Sequence, residues 1–319
     1  MQPTLSSALV HTANSRGLAP IPAWEMSLRT AVAKPYFKVS DQPLALEGPA
    51  FDRRGDLLFV DVHGGRVLKL SRSMELSTVY CDPTLRPAGL AIHRDGRIFV
   101  AGLGDFKSGA IVAIDAEGKN FEEIVPASAG FVPDDLVFDD AGGLYFTDFK
   151  GSAFEPSGGV YYVKPDLRTI VAVLPRMALA NGVALSPDGK VLWATEFGLS
   201  RLHRVELKDA TTIAPFGSTV PHHFSGKAPD SMRTDREGNV YVAMYTQGRI
   251  MVFSPDGMPI GQILMPGRDQ NHFLKTSSLA LVQGSDELLI VARDEHGDGG
   301  AMIFKAQGFA EGLALFSHT

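Results

Sequence analysis

Glu47, Asp134, Asn181 and Asp230 occupy the same place in a phrase that recurs six times along the chain, and each carries a carboxylate or carboxamide oxygen. The phrases begin Glu47-Gly48-Pro49-Ala50-Phe51-Asp52, Ala88-Gly89-Leu90-Ala91-Ile92-His93 and Asp134-Asp135-Leu136-Val137-Phe138-Asp139. They continue with Asn181-Gly182-Val183-Ala184-Leu185-Ser186, Asp230-Ser231-Met232-Arg233-Thr234-Asp235 and, in weaker form, Ser277-Ser278-Leu279-Ala280-Leu281-Val282. In a closed ring of repeats, one column of residues lands at one height around one axis. Oxygen donors gathered in this way make a hard-cation site without any short local metal motif. No His or Cys belongs to the set. That favours Ca²⁺, places Mg²⁺ and Mn²⁺ behind it as substitutes, and disfavours zinc. Three carboxylates held together without a cation would repel one another and raise their own pKa values. Ser231, beside Asp230, offers a further oxygen. A single acidic residue at a strand start usually faces solvent or caps a turn; four of six in one register argue for a common site.

A cation at the mouth of a channel leaves positions for water and substrate, and polarises a carbonyl or phosphoryl oxygen. Asp230 is the expected proton-transfer residue. It would activate water as a general base and then protonate the leaving alkoxide, or attack directly and form a covalent intermediate. The residues leave both routes open. His63, Phe106, Phe149, Phe197, His222, His223 and Tyr245 lie in segments that reach toward the same mouth; His63, Phe149 and Tyr245 are the expected substrate-pocket residues. The stretch Arg293 to Gly300 has the composition of a cation loop but not EF-hand spacing, and reads as an exposed hairpin turn. There is no Gly-x-Ser-x-Gly elbow for a serine nucleophile. Cys81, the single cysteine, reads as a small buried hydrophobe.

The elements that must position these residues follow from the spacing. Column members stand 41, 46, 47, 49 and 47 residues apart. Each unit opens with a short apolar run, then a polar turn such as Asp52-Arg53-Arg54-Gly55 or Asp140-Ala141-Gly142-Gly143, then a second apolar run such as Leu57-Leu58-Phe59-Val60. Asp-Gly and Gly-Gly between apolar runs signal hairpins. A third strand and usually a fourth follow, as at 159–163 and 170–173. Four strands per unit and a period in the forties describe propeller blades. The expected architecture is an all-β, six-bladed β-propeller of one domain spanning 1–319. Residues 1–34 form a short N-terminal extension with a helix near Trp24–Ala33, and 35–319 form the propeller. The last unit has room for three strands, so Tyr36-Phe37-Lys38-Val39 is expected to supply its fourth and close the ring.

Bulk properties narrow the function classes. The 319 residues are 45% hydrophobic, enough for a large core, and 33 Gly with 20 Pro suit many turns. A net charge of -6 argues against a nucleic-acid partner and gives no support to an anionic membrane surface. No apolar run reaches membrane-span length, and no basic-then-apolar leader is visible. With one cysteine, the expected setting is the reducing cytoplasm. The oligomeric state is not written in the sequence.

The longer phrases resemble a known group. Leu46-Glu47-Gly48 with Phe51-Asp52, Leu103-Gly104-Asp105-Phe106-Lys107-Ser108, Tyr145-Phe146-Thr147-Asp148-Phe149, Ala180-Asn181-Gly182, Arg201-Leu202-His203-Arg204, Pro229-Asp230-Ser231 and Tyr241-Val242-Ala243-Met244-Tyr245 are similar to the gluconolactonase and senescence-marker-protein (regucalcin) superfamily. Within it, the bacterial drug-responsive, calcium-dependent lactonase branch is the nearest in pattern. The resemblance implies a six-bladed propeller and a catalytic Ca²⁺ at Glu47, Asp134, Asn181, Asp230 and Ser231. It also implies Asp230 as proton donor and hydrolysis of a lactone. It implies a second metal at Ser108 and Gly109 with positions near Pro126, Ala129 and Phe131. Here the chain departs from the pattern: Pro126 stands for an acidic ligand and Ala129 lacks a hydroxyl, so mainly backbone oxygens would be left. Two other functions stay open. One is phosphotriester hydrolysis, which suits the same Lewis-acid geometry; Asp134, where that group has asparagine, favours the lactone. The other is a propeller that binds calcium or a ligand without turnover.

Overall fold

The computed structural model describes residues 17–295 and 297–319; expectations for residues 1–16 and for His296 fall outside them. Six separate sheets succeed one another along the chain. The first contains Leu46–Phe51, Leu57–Asp61, Arg66–Leu70 and Leu76–Cys81, paired antiparallel in that order. Blades two to four repeat this arrangement, opening with Pro87–Ile92, Pro133–Phe138 and Ala180–Leu185. Blades five and six open with Pro229–Thr234 and Lys275–Leu281. Each opening strand packs against the opening strand of the next blade, and Lys275–Leu281 packs back against Leu46–Phe51. That is a ring of six blades around one axis, the expected propeller.

The second strands are buried along their length, as in Leu57–Asp61, Leu144–Asp148 and Val240–Met244. They are covered on both faces by neighbouring blades, which is why they read as continuous apolar runs and not as alternations. The core is accordingly divided into layers, one between each pair of blades. Phe99 of blade two meets Phe138 of blade three edge-on at 5.0 Å. Ile290 of blade six packs with Ile250 and Val252 of blade five. Outer strands lie half in solvent, as in Leu76–Cys81. Cys81 lies there and is exposed, not buried as expected. An outer edge strand has no further blade to cover it.

The hairpin turns are held by their first polar residue. Asp52 Oδ1 accepts the N–H groups of Arg54 and Asp56 at 2.8 and 2.9 Å, and Gly55 adopts φ 81°. Asp139 and Asp235 do the same in blades three and five. These side chains close the turn on their own backbone, which is why the Asp-x-x-Gly phrase recurs.

The N-terminal region differs from the expected helix. Ala23–Glu25 makes one 3₁₀ turn, and Arg29–Val32 is a strand paired parallel to Pro259–Leu264 at the outside of blade five. Its anchor is tertiary. Glu25, 2% exposed, accepts from the fully buried Arg249 guanidinium at 2.6 Å. A buried ion pair to a residue far along the chain overrides local helix preference. Lys34–Ser40 is the outermost strand of blade six, antiparallel to Ala301–Gln307. Among the described residues no helix is long and apolar enough to cross a membrane.

Candidate functional site

Each blade departs from regular pairing at the column position. The ladder between first and second strands shifts register between Glu47 and Ala50, Pro87 and Gly89, Pro133 and Leu136, Ala180 and Val183, Pro229 and Met232, and Thr276 and Ser278. A bulge re-aims the side chain it carries. Here it does so six times at one height, which lets the column face the channel mouth. Adjacent bulges fit closely. A Cβ on Gly89 would stand 2.3 Å from the Asp134 carbonyl oxygen, and one on Gly182 2.5 Å from that of Asp230. The glycine after the column residue is thus required by the neighbouring blade's backbone.

All six column residues line one cavity of about 200 Å³. Glu47, Asp134, Asn181 and Asp230 are therefore brought together, with Ala88 and Ser277 completing the rim. Asp134, Asn181 and Asp230 are 8%, 4% and 5% exposed. Burial pushes the carboxyls of Glu47, Asp134 and Asp230 well above the ordinary range. Mutual repulsion adds to this, from Asp230 and Asp134 on Glu47 and from Asp134 on Asp230. Hydrogen bonds from the Asn181 carboxamide and the Ser231 N–H pull Asp230 the other way. Ser231 is buried beside Asp230 but is not among the cavity-lining residues.

Two observations bear on a cation here. The Asn181 Oδ1 atom is buried without a hydrogen-bond partner, a costly state that a cation would relieve. The donors are all oxygen, with three anionic groups, which suits a hard divalent ion. Among the described residues no three carboxylate, imidazole or thiol side chains form a metal cluster by themselves; within the set, the Asn181 carboxamide hydrogen-bonds Asp230. These residues fit a divalent cation.

Below the column, Asp135 accepts from Arg233 Nη1 at 2.9 Å, with both side chains largely buried. This pair crosses from blade three to blade five. The far end of the channel is a separate, mostly apolar cavity of about 110 Å³, lined by 313–318 of the last segment. Arg53 fixes that segment by donating to the Ser317 carbonyl at 2.6 Å, and Arg94 lies 4.3 Å from the Phe316 ring centre.

The expected pocket residues His63, Phe149 and Tyr245 line the column cavity, as do Phe106 and Phe197. His222 does not. It packs against Phe224 and Phe253 at ring distances of 4.9 and 5.0 Å, and burial lowers its pKa. Neither it nor His223, at the end of the outer strand of blade four, lines the cavity. For the second metal position, Ser108 Oγ donates to the Ala127 carbonyl and Gly109 N–H to the Phe131 carbonyl at 2.7 Å. Lys150 donates its ammonium to the Gly130 carbonyl. Carbonyl groups of this segment are thus already engaged with the chain's own donors.

Sequence reasoning missed Lys275 and Arg293, which both line the column cavity. The stretch from Arg293 is not simply an exposed turn: Asp294 is 1% exposed and pairs with His272 at 2.7 Å. Arg293 follows Ala292, the partner of Thr276, as Phe149 and Phe197 follow Asp148 and Glu196 in blades three and four, and those two phenylalanines line the same cavity. Aligning the second strands as well as the first would have placed Arg293 at this mouth.

Residues 46–274 match the family model described as the SMP-30/gluconolactonase/LRE-like region. A protein named Lactonase drp35 from Staphylococcus saprophyticus is 46% identical over 309 residues, 95% of each chain. Among solved structures, a calcium-binding protein described as regucalcin from Agrobacterium tumefaciens superposes with TM-score 0.72 at 20% identity, covering 89% of this chain and 98% of that one. A gluconolactonase from Xanthomonas campestris gives TM-score 0.69 at 21% identity, covering 88% and 96%. At such identities the two structures speak for the fold alone.

Proposed function

Because the chain belongs to the SMP-30/gluconolactonase/LRE-like family, we propose that it is a metal-dependent lactone hydrolase working at the column cavity. Glu47, Asp134, Asn181 and Asp230 would hold the cation, with Ser231 supporting Asp230. Calcium is the first choice, and Mg²⁺ or Mn²⁺ are substitutes. The observation that carries this reading is the convergence of the four oxygen side chains on one cavity, with the Asn181 Oδ1 atom lacking any partner. The named lactonase relative, nearly half identical over almost the whole chain, supports the choice of lactones over phosphotriesters.

When bound, such a cation supplies Lewis-acid polarisation of the ester carbonyl. The rest falls to the chain's own residues. Burial and the Asp134 charge raise the Asp230 carboxyl in the cation-free fold, and a cation bound there would keep it ionised. A carboxylate placed beside both cation and ester suits removal of a proton from attacking water and its return to the ring oxygen as the ester opens. The hydrogen bonds from Asn181 and Ser231 orient the carboxylate for that transfer. His63, Phe149, Phe197 and Tyr245 wall the cavity and exclude bulk water from the ester. A reducing, cytoplasmic setting fits the lone Cys81 thiol.

The test is hydrolysis of a lactone panel, including dihydrocoumarin and gluconolactone, before and after chelation and with Ca²⁺ add-back. Loss on chelation and recovery with Ca²⁺ is expected. Turnover that survives exhaustive chelation would refute the metal-dependent reading, and inactivity across the panel despite bound metal would refute the lactonase one.

A further inference from the structure

Lys275 and Arg293 bring two positive charges to one wall of a cavity whose rim is otherwise acidic. They are register partners across the first two strands of blade six. Both pair with one carboxylate, Glu295, at 3.4 and 2.8 Å. One anion shared between two cations leaves positive charge over on this wall. Tyr245 stands beside them. Its phenolic oxygen accepts from Arg293 Nη2 at 2.8 Å, and the Lys275 ammonium lies 4.4 Å from its ring centre. Since that oxygen accepts from Arg293, its own O–H is available to donate. Arg293 Nε is buried and has no acceptor. A guanidinium, an ammonium and a phenol thus share one wall of the cavity, and the phenol O–H stays available to donate.

On the reading above the column carboxylates are the cation's ligands, and with a divalent ion the three of them keep one net negative charge; what marks this wall is its donor geometry. Planar guanidinium with a second cation is the donor set that recognises a carboxylate. We propose that Arg293, Lys275 and Tyr245 form an anion subsite for a carboxylate carried on the lactone away from its scissile ester, so that the preferred substrates are acidic lactones. This rests on the lactonase reading for its reaction, but not for the binding itself.

The test compares 5-oxotetrahydrofuran-2-carboxylate with its neutral carboxamide, using the Ca²⁺-loaded full chain. The wild-type kcat/KM should favour the carboxylate by about tenfold or more, the range expected for hydrogen bonds to a charge. Arg293→Met should bring the ratio toward one, mainly through KM of the anionic lactone. Arg293→Lys should retain part of the preference. Lys275→Met gives a second, independent loss should Arg293→Met fold poorly. If both lactones turn over at similar kcat/KM, or Arg293→Met slows both equally, the subsite is wrong while the lactonase reading stands. The subsite is equally wrong if Arg293 governs only inhibition by the ring-opened hydroxy acid, since the wall then serves product. If neither lactone turns over, calorimetry with tetrahydrofuran-2-carboxylate and its amide decides. Binding of the acid that depends on Arg293 keeps the subsite and no binding removes it, while the lactonase reading is decided by the wider panel.

Discussion

Thr195 Oγ1 donates to the Asp230 carbonyl at 2.8 Å and accepts from the Gly182 N–H at 2.7 Å. One buried hydroxyl on blade four thereby fixes the backbone at the column residue of blade five. Thr147 repeats the device one blade earlier, donating to the Asn181 carbonyl. The expected proton-transfer residue is therefore placed by a side chain that never touches the cavity. Thr195→Val keeps the shape and strands a buried N–H and a buried C=O. The expected loss is about 2 kcal/mol or more, read by urea unfolding, together with a fall in kcat. Thr195→Ser should recover most of both.

Asp230→Asn keeps an oxygen ligand and removes the proton acceptor. Lactone turnover should fall by about 10²-fold or more, while the unfolding midpoint of the chelated protein stays level or rises because one of the repelling charges is gone. A variant that keeps wild-type kcat would exclude Asp230 from proton transfer.

The crowded carboxyls give a pH dependence of definite sign. Unfolded carboxyls lose their protons near pH 4; those of Glu47, Asp134 and Asp230 in the cation-free fold lose them at higher pH. Above pH 4 the folded state therefore binds more protons than the unfolded one, and stability falls as pH rises through the raised values. A Ca²⁺ held by these carboxylates would take over from the protons. The gap in melting temperature between Ca²⁺-loaded and chelated protein should widen from pH 5 to pH 8. Glu47→Gln should narrow it and weaken Ca²⁺ binding. A gap independent of pH would mean these carboxyls do not hold the ion.

Arg233 answers Asp135 in a buried position. Arg233→Met leaves that carboxylate without its cation, and should cost about 3–5 kcal/mol in unfolding free energy. Adding Asp135→Asn should return much of the loss. If the double variant is as unstable as the single one, the pair is not what fixes this part of the channel.

The propeller and its column were legible because the same physics repeats six times. The Asp-x-x-Gly turns close on their own backbone, and the column residue follows the same bulge in each blade. What repeats can be aligned within a single chain. Lys275 and Arg293 escaped because blade six carries the weakest phrase and because second-strand ends differ in type from blade to blade. The strand at Arg29–Val32 escaped for another reason. Its partner is Pro259–Leu264 and its anchor is Arg249, and neither leaves a trace in the local sequence. His222 was misplaced because an aromatic core contact and a pocket contact ask for the same residue types.

Lys34–Ser40 lies against Ala301–Gln307 in the sixth sheet, so residues that leave the ribosome early must wait for residues that leave late. Five blades can build their four-stranded cores from neighbouring hairpins as they emerge, whereas the sixth depends on a contact spanning most of the chain, the slow kind. Through that interval the sheet edge formed by Ala301–Gln307 and the unpaired early strand are both open to wrong partners. A circular permutant that joins the two ends and opens the chain between two blades would shorten the contact that completes the sixth sheet, and should refold faster with the same final site.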